Sequence, residues 1–173
     1  MNNELRMLIN NLTQDIIDLY NIQIPIQNIN DVVTTLGGCV EESVDIVNMS
    51  DGSIRKQDDG FIIYVSPFQS LERKKFTIAH ELGHLFLHMG YRINVELWNK
   101  QKNLTYYRSG DSLMEYQANE FAAALLMPKK VYKRIMDQYT VGREVETDKV
   151  ADYFGVSVSA ASNRGKFLGY LQW

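Results

Sequence analysis

Phe76-Thr77-Ile78-Ala79-His80-Glu81-Leu82-Gly83-His84-Leu85-Phe86-Leu87-His88 is the stretch on which the reading of the whole chain turns. Inside it, His80-Glu81-Leu82-Gly83-His84 has the form H-E-x-x-H. Residues four apart stand on one face of a helix, about 6 Å from each other, so both imidazoles can reach one zinc ion. Glu81 follows the first ring and can approach a water beside that ion, as a metalloprotease general base does. Phe76, Ile78, Ala79, Leu82, Leu85, Phe86 and Leu87 wrap the remaining surface in apolar side chains, which predicts a helix crossing the core. The five-letter pattern also occurs in chains that bind no metal. Its apolar flanks favour the metal, because buried polar groups without partners are costly and one ion serves both rings. Gly83 in mid-helix costs about 1 kcal/mol against Ala, a cost that makes sense where another backbone or a substrate comes close.

The length of 173 residues predicts one domain, 1–173, or one domain with a small appendage, with 129–173 as a C-terminal helical subregion. Cys39 is the single cysteine, which excludes an internal disulfide framework and a cysteine-based zinc knuckle. No apolar run reaches the roughly 18 residues of a membrane span. The opening residues read as a helix rather than a cleavable signal, so no membrane is expected and the cytoplasm is. A net charge of -3 supplies no field that would favour nucleic acid. All three histidines fall between His80 and His88, a clustering that scattered structural residues would not produce.

Outward from the central stretch, the chain reads as α+β. It is mostly helical, with a zincin-like core, a small antiparallel sheet ahead of the H-E-x-x-H helix and a helix-turn-helix-like C-terminal segment. Residues 3–20 carry Leu5, Leu8, Ile9, Leu12, Ile16 and Leu19 at helical spacing. A short helix is expected over 30–36, capped by Asn30 and stopped at Gly37-Gly38. Val40, Val44, Ile46 and Val47 suggest a strand, and Phe61-Ile62-Ile63-Tyr64-Val65 a better one. In zinc peptidases, a strand above the active-site helix offers its free edge to an extended peptide. Phe61, Ile62, Ile63, Tyr64 and Val65 are the candidates for that edge, although an ordinary core strand explains any one of them as well. Ser66 and Pro67 look like the start of the central helix. Residues 91–111 are the least regular part, in a place where a lid would be.

A catalytic zinc takes three protein ligands and leaves one position open, so a third ligand is needed. Ser112 to Met127 reads as a strong helix bearing Glu115 and Glu120, with Ser112 and Glu115 spaced as a capping box. The two acids lie about 140° apart around the helix, and both cannot point at one ion. Glu115 is preferred. Asn119, four residues on, then falls beside it and can accept the N–H of a ligand histidine. His88 lies too far along its own helix to join the same ion; a place behind a ligand or at the helix end suits it better.

The first motif, together with Glu115-x-x-Ala118-Asn119-x-Phe121-Ala122-x-x-Leu125-Leu126-Met127-Pro128, resembles the ImmA/IrrE family of metallopeptidases. The resemblance implies a zinc-dependent (Zn2+) endopeptidase with a gluzincin-like core. Its metal positions would be His80, His84 and Glu115, with Glu81 the catalytic glutamate and Asn119 where the family shows Asp or Asn. It also implies a protein substrate, typically a helix-turn-helix repressor of a mobile element, a prophage or a stress response, often encoded next door.

An oxyanion donor is expected from Tyr106 or Tyr107. In the C-terminal segment, Arg164 and Lys166 on the last helix are too few for a DNA-binding face, so DNA binding is not expected. Phe167, Leu168, Tyr170, Leu171 and Trp173 suggest an apolar docking surface for the partner. The rival reading is a binding protein that regulates a repressor or toxin without cutting it and uses the metal as a clamp. A structural zinc is closed by four protein ligands, and the sequence offers three.

Overall fold

A computed structural model of the chain describes residues 1–45, 51–101, 105–106 and 112–172. α1 (Asn3–Leu19) starts where Asn2 accepts a hydrogen bond from the Leu5 amide, and it buries Ile9, Thr13, Ile16 and Ile17. α2 (Ile29–Leu36) is capped by Asn28 rather than Asn30: the Asn28 side chain accepts from the Asn30 amide at 3.1 Å, the bond an N-cap makes. Gly37 ends α2 in the left-handed region at φ 95°, which glycine adopts without a Cβ penalty. The chain passes straight into β1 (Gly38–Glu42). Val44 lies in a bend beyond that strand, and Ile46 and Val47 fall outside the described residues.

β2 (Gly52–Gln57) and β3 (Gly60–Val65) form an antiparallel hairpin. The α+β architecture is as expected, but the sheet is mixed rather than wholly antiparallel. β1 runs parallel to β3, with Gly38 opposite Phe61 and Glu42 opposite Val65. The reason is the additional strand. β2 comes between the other two in sequence, so the chain reverses twice and brings β3 back in the direction of β1. Gly52-Ser53-Ile54-Arg55-Lys56-Gln57 has a single large apolar side chain, too little alternation to mark it as a strand.

α3 (Leu71–Leu87) begins four residues later than the Pro67 start expected, with Ser70 as N-cap accepting from the Arg73 amide at 3.3 Å. Ser66 instead closes a turn by accepting from the Phe68 amide. α3 buries an unbroken run from Thr77 to Phe86. The region expected to be irregular contains α4 (Val95–Lys100). Its Trp98 packs edge-on against Tyr91, whose hydroxyl donates to the Leu36 carbonyl at 2.7 Å. β4 (Thr105–Tyr106) then joins the sheet beside β2, giving the order β1-β3-β2-β4.

α5 (Ser112–Leu126) lies along α3. The two backbones come so close that a Cβ added at Gly83 would lie 2.9 Å from Ala118 Cα and 3.0 Å from its carbonyl oxygen. The mid-helix glycine is thus the contact through which one helix seats on the other.

The rest of the chain is α6 (Lys129–Gln138), the short hairpin β5 (Thr140–Val141) and β6 (Glu144–Val145), α7 (Thr147–Phe154) and α8 (Val158–Phe167). Gly155, at φ 62°, makes the turn between α7 and α8, and Ser157 caps α8 by accepting from the Ala160 amide. The helix-turn-helix outline is present, but Arg164 is 1% exposed and unavailable to a phosphate. Its guanidinium donates to Glu120 at 2.9 Å, to the Met127 carbonyl at 3.0 Å and to Asn10 at 2.7 Å. Burial pushes the Arg164 guanidinium below its ordinary value, and the Glu120 carboxylate works against that push. Leu168, Tyr170 and Leu171 pack on the core rather than forming the apolar docking end expected of them. Phe167 is 44% exposed, and Trp173 is outside the described residues. No described helix is long and apolar enough to cross a membrane.

Candidate active site

Two helices build the site. α3 presents His80 and His84 one turn apart, and α5 presents Glu115 from its first turn. The Gly83–Ala118 approach sets the spacing between them. His80 Nε2 and His84 Nε2 lie 3.0 Å apart. Glu115 Oε2 is 3.3 Å from the first and Glu115 Oε1 is 3.3 Å from the second. Glu120 turns away from this cluster to pair with Arg6 at 3.0 Å and with Arg164.

The outer nitrogens of the rings decide what the inner ones can do. His80 Nδ1 is 2.9 Å from Asn119 Oδ1. A carboxamide oxygen only accepts, so His80 carries its proton on Nδ1 and turns a lone pair inward from Nε2. His84 Nδ1 is 2.9 Å from His88 Nδ1, and His88 Nε2 is 2.8 Å from Gln117 Oε1. By the same logic, His88 donates from Nε2 to Gln117 and accepts at Nδ1 from His84, whose Nε2 is then also a bare lone pair. With both rings neutral, two imidazole lone pairs turn toward one carboxylate, an arrangement that a cation at the centre would stabilise.

A zinc ion fits by size as well as by charge. Ligand atoms at 2.0–2.1 Å on a tetrahedron stand about 3.3 Å from each other. The donor triangle of 3.0, 3.3 and 3.3 Å matches three corners of that figure. Two nitrogens and one oxygen are donors of the type zinc accepts in hydrolytic sites. Among the described residues, His80, His84 and Glu115 are the group of three whose ligand atoms could share one ion.

Glu81 is 2% exposed and faces the start of β2: a Cβ added at Gly52 would lie 3.2 Å from Glu81 Oε1 and 2.5 Å from Thr77 Cγ2. Glycine at position 52 therefore lets the sheet approach the acid of the H-E-x-x-H motif. A pocket of about 230 Å³ opens at the cluster between Asp51, Arg73, Thr77, His80, Glu115 and Asn119.

Phe61 to Val65 do not offer the substrate edge expected of them. β3 is an inner strand, paired with β1 on one side and β2 on the other. Phe61, Ile62, Ile63 and Val65 are buried in consequence, leaving Tyr64 half-buried. The main chain of Tyr106 lies in β4, where Tyr106 stands opposite Ile54, but its side chain, like all of Tyr107, is outside the described residues. Two residues of the site went unread in the sequence. Gln117 stands about 200° from Glu115 on a helical wheel, so face-counting passes it over. Gly52, after Asp51, has the composition of a turn. Only the sheet's approach to α3 reveals its use.

Comparison with known proteins gives three findings. The peptidase family described as the IrrE N-terminal-like domain matches residues 41–166, most of the chain. Metallopeptidase ImmA of Bacillus subtilis (strain 168) is 33% identical over 102 residues, which cover 58% of this chain and 53% of that protein. The chain thus aligns with about half the length of this curated relative. A Mycobacterium tuberculosis transcriptional regulator of known structure superposes with a TM-score of 0.55 over 95% of this chain and 47% of its own, at 17% identity. At that identity the likeness is one of fold.

Proposed function

We propose, from the premise that this chain belongs to the peptidase family of the IrrE N-terminal-like domain, the ImmA/IrrE metallopeptidases, that it is a zinc-dependent endopeptidase acting on a specific protein partner. The observation that carries the reading is the donor triangle made by His80, His84 and Glu115. Three protein donors leave a corner of the tetrahedron for substrate or solvent, which a purely structural site would close. That is what favours cutting over a regulatory protein that only binds.

A zinc ion held there supplies Lewis acidity toward a peptide carbonyl and makes water acidic enough to lose a proton near neutral pH. Glu81 does the proton work. Its carboxylate takes the proton from the attacking water and returns it to the departing amine. Asn119 and His88 hold the two rings in the tautomers that keep Nε2 proton-free. The partner we favour is a helix-turn-helix repressor encoded nearby, met in the cytoplasm. DNA is disfavoured, since Arg164 is consumed by Glu120. We read 1–173 as one catalytic unit with 129–173 as its C-terminal part. What supports this is the reach of Arg164 to both Asn10 and Glu120.

The test is Glu81→Gln. The variant should bind zinc as the wild type does and lose hydrolysis of the neighbouring repressor by two or more orders of magnitude, on the order expected for a general base. Both proteins would be incubated with that repressor, with and without chelator, and the fragments read by mass spectrometry. Wild-type cleavage rates in Glu81→Gln would remove the assignment of the base. A partner inactivated yet intact would favour the binding protein.

A further inference from the structure

A second cleft, of about 640 Å³, adjoins the small pocket at the cluster and shares Arg73, Phe76 and Asn119 with it. This volume lies within the range of ligand-binding pockets. Its walls come from α3, α5, α8 and the start of α1. The turn and helix that look like a DNA-reading unit are one of those walls, through Val156, Ser157, Ala160 and Asn163.

The chemistry of the lining is informative. Its charged groups largely answer one another: Arg6 and Arg164 share the carboxylate of Glu120, Arg73 pairs with Asp51, and Glu72 stands at the wall as a further acid. The Arg164–Glu120 pair is buried, and breaking it to bind a charged guest would leave an uncompensated charge. What the cleft has to offer a guest is apolar surface from Phe76, Tyr116, Ala123, Ala160 and Phe167. Tyr116 is 61% exposed and Phe167 44% exposed, both large apolar groups at the rim.

We propose that this cleft receives an apolar side chain of the polypeptide substrate, of leucine or phenylalanine size, next to the bond to be cut, and that α8 is therefore a specificity element rather than a DNA reader. The proposal rests on the peptidase reading above. Arg73, Phe76 and Asn119 border both cavities, so a side chain adjacent to a carbonyl at the cluster lies beside the cleft.

Hydroxamates test this without requiring turnover, since they bind the metal of zinc peptidases directly. The zinc-loaded full chain would be titrated by calorimetry with acetohydroxamate and with two series of amino-acid hydroxamates. One series carries the side chain on the acyl side of the zinc-binding group, the other beyond it. Within each series the side chain is Leu, Phe, Asp or Lys. In at least one series, the Leu and Phe compounds should bind about tenfold or more tighter than acetohydroxamate, as burying such a side chain predicts, and the Asp and Lys compounds should not. Ala160→Trp fills the cleft and should bring that ratio close to one. Asn163→Glu, at an exposed position, adds an unmatched carboxylate and should shift the preference toward Lys. Ratios near one in both wild-type series, or ratios that neither substitution moves, overturn the assignment of the cleft and leave the peptidase reading standing. Failure of acetohydroxamate itself to bind would bring down the reading of the cluster, and this proposal with it.

Discussion

Gln117 stands outside the His80–His84–Glu115 triangle, yet it governs the direction of a proton two rings away. Its oxygen obliges His88 to donate from Nε2, and His88 in turn obliges His84 to donate from Nδ1. Gln117→Leu removes the acceptor while keeping the volume. His84 is then free to place its proton on Nε2, where it blocks a ligand position. Zinc affinity, measured by competition with a chromophoric chelator, should fall about 10- to 100-fold, the usual cost of losing a partner behind a ligand. Gln117→Glu preserves the acceptor and should retain wild-type affinity or exceed it. The H-E-x-x-H pattern and the Glu115/Asn119 spacing were legible because helical periodicity predicts them. Gln117 was not, because its role depends on where a neighbouring helix places His88.

For the helices, the decisive contact is Gly83 against Ala118. Gly83→Ala gains about 1 kcal/mol in helix propensity but drives a methyl group into the backbone of α5. Overpacking of this kind costs about 1–3 kcal/mol, and it prises Glu115 away from the rings. The expected outcome is a modest net destabilisation in a urea melt, with a much larger loss of zinc affinity. A melt that shifts while zinc affinity holds would separate the fit of the helices from the geometry of the site. Helices were the easiest elements to find in the sequence, since α1, α3, α5 and α8 each carry long apolar periodicities or clear caps. The sheet was the hardest. β2 is too polar to stand out, and without it the pattern makes β3 an edge and the sheet antiparallel. Strand order depends on pairing partners distant in sequence, and a local pattern does not record these.

Across the molecule, one buried carboxylate holds three helices. Glu120 on α5 receives Arg6 and Asn10 from α1 and Arg164 from α8. Arg164→Ala leaves that carboxylate without its buried counter-ion and should cost about 3–5 kcal/mol, read as the midpoint shift in denaturant. Replacing Arg164 and Glu120 together, by Met and Gln, should recover much of the loss, since removing both charges leaves no buried carboxylate uncompensated while the Gln oxygen still accepts from Arg6 or Asn10. Local pattern does not reveal this role: in the sequence Glu120 reads as a rival to Glu115 for the metal, and Arg164 as one of too few basic residues for a DNA-binding face. Only long-range folding brings them together, 44 residues apart. The same clasp bears on how the protein matures during synthesis. The metal helices leave the ribosome well before Arg164 does, and until then Glu120 has no counter-ion from α8. A nascent chain halted short of residue 164 should therefore leave α5, and Glu115 with it, less firmly seated until α8 has emerged.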